Sequence, residues 1–139
     1  MAIAISIIIP FLSAVFGGYI TFYFTSKSKK EEAIIKFREE KYSNLLILLK
    51  GFVGETANSE TKLKFFDEQY KSWIYSSDEV VIAINELVQL IIDQDGKTPD
   101  VDKGRKAIGN IVLAMRKDLL KKTSLTDSDF RYTDVRLKK

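Results

Sequence analysis

Three pairs of carboxylates are the residues best placed by type to do chemistry: Asp67/Glu68, Asp78/Glu79 and Asp127/Asp129. Two carboxyls poised across a cleft, with pKa values pushed apart, can act as acid and base. Here each pair falls at a predicted helix cap or on a polar helix face, where capping and solvation account for it. A further cluster, Asp93-x-Asp95-Gly96, resembles part of a calcium loop. Placing Gly96 at loop position six puts Asp93, Asp95 and Asp102 at positions three, five and twelve. Position one then falls on Ile91, which has no ligand oxygen, so an Asp- and Gly-rich capping turn is the simpler reading. The chain has no His and no Cys. That removes the Ser-His-Asp triad, a His general base, a thiol nucleophile and the usual zinc ligands. Neither GxGxxG nor GxxxxGK occurs, so no phosphate-cradling loop is present. The expectation is a protein that is not an enzyme, with no catalytic residues, no cofactor and no metal site.

Basic residues form the other constellation. Arg105, Lys106, Arg116, Lys117, Lys121 and Lys122 are opposed only by Asp118 between residues 105 and 122. The tail adds Arg131, Arg136, Lys138 and Lys139 against Asp134. A solvated helix surface is the plainest reading of this stretch. Anionic lipid head groups are the second, at about 1 kcal/mol for each basic residue near the surface. Nucleic acid is the least favoured partner, because no helix-turn-helix signal accompanies the charge. The candidate binding patch is Arg105, Arg116, Lys117, Lys121 and Lys122.

The elements that would hold these residues begin with a sharp break in composition. The chain has 139 residues, and its 22 Lys and Arg and 19 Asp and Glu give a net charge of +3, yet none precedes Lys27. Residues 2–25 read AIAISIIIPFLSAVFGGYITFYFT. A helix of this length rises about 35 Å, enough to cross a bilayer core. A cleaved signal peptide fits less well, since it would begin with a positively charged region. The expectation is therefore a single-pass transmembrane helix in the inner membrane. Lys27, Lys29 and Lys30 follow the span and would lie at the cytosolic surface, with the N-terminus outside. Pro10 sits within the span, where a kink is tolerated. Ser13, Gly17 and Thr21 recur every fourth residue beside Ala14 and Gly18, so two small ridges share one face where a second helix can approach closely.

From residue 27 the periodicity is helical. Ile34, Phe37, Leu45, Leu48 and Phe52 lie near one face, with Tyr42 and Leu49 beside them. No Gly or Pro interrupts Thr25 to Lys50, which lets the first helix run straight into this one. Gly51 and Gly54 weaken its end, and Asn58-Ser59 reads as a loop and cap. A helix from Glu60 to about Tyr75 carries the stripe Leu63, Phe66, Tyr70, Trp73 and Ile74. The next starts near Ser76 or Ser77, with Ser76 and Glu79 fitting a capping box, and carries the stripe Val80, Ile84, Leu87 and Ile91, widened by Val81 and Val88. The last opens with Thr98 as cap and Pro99 in its first turn, and carries Val101, Ile108, Val112, Met115 and Leu119. Thr123 to Asp129 reads as a single turn. Phe65, Phe66, Tyr70 and Trp73 are expected in or near the core. The fold expected is all-α: a transmembrane helix at 1–26, an antiparallel bundle of about four helices at 27–130, and a basic tail at 131–139.

Two stretches, Trp73-x-x-x-Ser77-Asp78-Glu79-Val80 and Leu113-Ala-Met-Arg-Lys-Asp-Leu119 followed by Thr126-x-x-Asp129-Phe130, resemble segments of short bacterial and phage-associated membrane proteins of uncharacterised function. The resemblance covers residues 33–130. It implies a bacterial single-pass protein with a cytosolic helical domain and supplies no catalytic residue. The functional expectation is a membrane-anchored, non-enzymatic interaction module on the cytosolic leaflet, forming a homo-oligomer through the small-residue face and recruiting or sensing a protein partner. The alternative is an effector that permeabilises the membrane when its cytosolic domain is triggered, as in phage defence.

Overall fold

A computed structural model describes residues 2–52, 58–94, 98 and 100–131, with side chains from residue 10 on, residue 11 excepted. Gly54, the Asp95-Gly96 half of the calcium-like loop, Pro99 and the basic tail beyond Arg131 lie outside the described residues. Four helices account for most of the rest. They are α1 (Ala2–Leu48), α2 (Ser59–Tyr75), α3 (Asp78–Asp93) and α4 (Val101–Leu120), with 3-10 turns at Leu49–Phe52 and Asp127–Asp129. By its internal contacts the chain divides into two units, Met1–Phe37 and Arg38–Lys139.

The first unit corrects the expected transmembrane helix. Among the described residues no helix is long and apolar enough to cross a membrane. Lys27, Lys29, Lys30, Glu31 and Glu32 lie along α1, all exposed. The inner-membrane location and the N-terminus-out orientation fall with the span. Residues 2–25 suggest a span by their composition, but the helix that holds them continues without a break through this charged stretch to Leu48. Pro10 lies inside α1, which continues past it.

The second unit is a helical bundle, and its caps explain where the helices start. The Asn58 side chain accepts a 2.7 Å hydrogen bond from the Thr61 N–H at the start of α2. Asp100, not Thr98, caps α4, accepting from the Lys103 N–H at 3.0 Å. These bonds satisfy donors that a helix leaves open in its first turn. Of Ser76 and Ser77 it is Ser77 that occupies the cap of α3, and its side chain makes no capping bond, so the Ser76–Glu79 capping box does not form. Asp78 and Glu79 in the first turn of α3 complement the positive end of the helix dipole instead.

The core gathers Tyr42, Leu45 and Leu49 from the end of α1 and the turn after it, Phe65 from α2, Val80, Ala83, Ile84 and Leu87 from α3, and Ala107, Ile108, Ile111 and Met115 from α4. The stripe expected on α3 is close to the one buried, with Val88 and Ile91 packed at its margin. On α4 the buried face is centred on Ile108 and Ile111, and Val101 is exposed. On α1, Ile34 and Phe37 are exposed, so the expected stripe is covered only from Tyr42 onward. Phe52, Phe65 and Phe66 form an edge-to-face trio with ring centroids 5.0 to 5.9 Å apart. Gly109 lies where the Asp127–Asp129 turn crosses α4: a Cβ there would come 2.9 Å from the Asp127 carbonyl oxygen.

Candidate functional site

α2 places its side chains against expectation. The face turned into the core carries Phe65, Gln69 and Ser72. The Ser72 hydroxyl is satisfied locally, donating to the Gln69 carbonyl at 2.6 Å. The predicted core stripe points outward. Leu63 is 67% exposed, Tyr70 72%, Trp73 60% and Ile74 88%. Of that stripe only Phe66 is half-buried. At about 100° per residue, Leu63, Tyr70 and Ile74 lie within some 40° of one another, with Trp73 beside them. They form a continuous apolar surface some 16 Å long, at 1.5 Å per residue. Tyr70 and Trp73 are therefore not core residues. Helical period identifies a face as apolar, but it does not identify what covers the face.

One edge of this surface is charged. Asp67 and Lys71 are exposed along it. The Lys71 ammonium bonds the Glu68 carboxylate at 2.6 Å, which raises the Lys71 pKa. Beyond this edge an open groove runs between α2 and the end of α1, where Ile47 is 56% exposed.

The basic constellation on α4 is dispersed. Arg105 reaches Asp102 at 3.9 Å, and the Arg116 Nε donates to the Thr123 hydroxyl at 3.2 Å. Lys117 pairs with Glu79 of α3 at 3.0 Å. Lys121 closes α4 in a left-handed conformation, φ 65°. Lys122 is exposed beside it. The acid expected among these bases, Asp118, turns inward instead. Its side chain is only 7% exposed and receives the Arg38 guanidinium on both oxygens, at 3.0 and 3.1 Å. The Tyr42 hydroxyl donates to the same carboxylate at 2.7 Å. The Arg38 Nε donates to the Tyr75 carbonyl at 2.7 Å, so one side chain ties the end of α2 to α4. Burial, and then the bond to Asp118, raise the Tyr42 pKa. Burial pushes Tyr75 up to about 12. Sequence reasoning missed this cluster, because its hydrogen bonds join residues 37 to 80 positions apart.

The three carboxylate pairs stay apart and have local partners. Glu68 holds Lys71, Glu79 holds Lys117, and Asp129 accepts from the Thr126 N–H at 2.8 Å and from its hydroxyl. These bonds lower the Asp129 pKa, the opposite of what a general acid needs. Asp93 accepts from the Gln89 amide at 2.8 Å. Among the described residues no group of three or more acidic side chains is placed to hold a metal ion.

In the first unit, Ser13, Ala14, Gly17, Gly18 and Thr21 are all exposed on α1. A Cβ built at Gly17 or Gly18 meets nothing within 4 Å, so packing within the chain does not require glycine there. Compared with family models, curated proteins and solved structures, the chain gives no match.

Proposed function

We propose that the chain is a helical interaction module rather than an enzyme, and that it recruits or senses a protein partner through the outer face of α2. The single observation that carries this reading is the inversion of α2, which buries Gln69 and Ser72 while exposing Leu63, Tyr70, Trp73 and Ile74. Contiguous apolar surface of this kind on a folded domain marks an interaction site. Aromatic residues at its centre are the types that dominate binding energy when covered. The dispersal of the basic residues of α4 among Asp102, Glu79 and Thr123 argues against that helix as the main contact.

The test is site-specific photo-crosslinking in producing cells. A photoreactive residue at Ile74 is expected to give a covalent protein adduct, and the same residue at exposed Glu86 on α3 is expected to give none. Equal or absent adducts at both positions would remove the proposal.

A further inference from the structure

We infer that the outer face of α2 is covered by a second copy of the chain, with the two α2 helices antiparallel about a two-fold axis near the level of residue 69. The inference rests on the reading of this face as an interaction surface and names its occupant. Three observations support it.

The first is area. At the exposures given above, Leu63, Tyr70, Trp73 and Ile74 leave on the order of 500 Å² uncovered per copy, so a symmetric pair would bury about 1,000 Å², the threshold of a specific interface.

The second is apolar register. A two-fold axis across two antiparallel helices places each edge of the face against the same edge of the partner. Centred near residue 69, it sets Leu63 against the partner's Ile74, and Phe66 against the partner's Trp73. Tyr70 then lies next to the axis and packs beside the partner's Tyr70.

The third is charge. The same register brings Asp67 opposite the partner's Lys71, and the symmetry makes the pair twice. Both are exposed on the charged edge, one helical turn apart. Shifting the register by a turn in either direction loses this match. Lys71 already bonds Glu68, so the pair selects register and orientation more than it adds affinity. The face is thus complementary to itself in apolar register and charge.

The experiment uses the purified full chain, followed by sedimentation equilibrium from low micromolar to near-millimolar concentration. Emission from Trp73, the only tryptophan, is recorded in parallel. The wild-type chain is expected to dimerise, with Trp73 emission moving to shorter wavelength as it does. Ile74→Glu should weaken the dimer more than a hundredfold. Because Ile74 is 88% exposed, this variant should keep the wild-type helical circular dichroism. Asp67→Lys alone, or Lys71→Asp alone, should weaken self-association about tenfold. An equimolar mixture of those two variants should recover it, since every cross-pair is then oppositely charged.

A chain that stays monomeric at all concentrations overturns the inference. So does association untouched by Ile74→Glu, which would place the contact elsewhere, for instance on the small-residue face of α1. Failure of the mixture to recover association overturns the antiparallel register. If Ile74 crosslinks to a different protein in cells while the purified chain is monomeric, the second-copy inference falls and the interaction face remains.

Discussion

α2 and α3 are consecutive helices of 17 and 16 residues, and each carries an apolar stripe at helical spacing. In α3 that stripe is the core: Val80, Ile84 and Leu87 are at most 2% exposed. In α2 it is the surface, and the buried side carries a glutamine and a serine around one phenylalanine. The difference shows that amphipathicity measures how unlike a helix's two faces are, not which of them is inside. A helix that must meet both its own core and a partner has two faces to satisfy, and the more apolar one can belong to the partner.

The sharpest way to break this contrast is a pair of truncations. Phe65→Ala on the inner face should cost about 3–4 kcal/mol. Trp73→Ala on the outer face should change stability by less than about 0.5 kcal/mol in dilute solution, where the chain is on its own. Urea denaturation followed by circular dichroism checks both. Equal losses would mean the outer face is core after all.

The next effect concerns the polar interior. Asp118→Ala should cost about 2–3 kcal/mol, because it leaves the half-buried Arg38 guanidinium and the Tyr42 hydroxyl without their acceptor. Adding Arg38→Met should recover part of that loss in the same denaturation assay, which a purely additive pair of sites would not do.

A smaller loss, about 1–2 kcal/mol, is expected for Gly109→Ala, whose new methyl must displace the Asp127 carbonyl now 2.9 Å away. The sign reverses at Lys121. Its left-handed φ of 65° suits glycine, so Lys121→Gly should stabilise by up to about 1 kcal/mol, read as a higher thermal midpoint.

The mildest test is alkaline titration. Tyr42 and Tyr75 have pKa values raised above 10.0 in the folded state. The stability they contribute is therefore complete below pH 10 and is lost as pH rises through their folded values, about 12 for Tyr75. Tyrosinate absorbance should show the Tyr42 and Tyr75 phenols ionising above pH 10, as the fold loosens. Ionisation of Tyr42 and Tyr75 near pH 10 would count against the buried cluster.

Much of the body was legible in the sequence, for reasons particular residues make plain. Asn58 marks the start of α2 because its short side chain reaches the N–H three residues on. The α3 stripe could be read because both helix period and burial pointed the same way. On α2 the same period puts Tyr70 and Trp73 on an apolar stripe, and nothing in the period tells that this stripe faces outward. On α4 the linear sequence does not show that Asp118 points inward while Glu79 arrives from another helix to meet Lys117. The apolar start of the chain was read as a membrane span by its length. Among the described residues no helix is long and apolar enough for that.

Arg38 has a further consequence that concerns time rather than strength. Its bonds to the Tyr75 carbonyl and to Asp118 close loops of 37 and 80 residues, whereas α3 and α4 meet across one short connection. Closing the longer loops costs more chain entropy. The α3–α4 hairpin should therefore assemble early, and the Arg38 clasp should fasten last. In the reverse direction, hydrogen exchange at the amides around Tyr42 should open before those around Ile84 and Ile111.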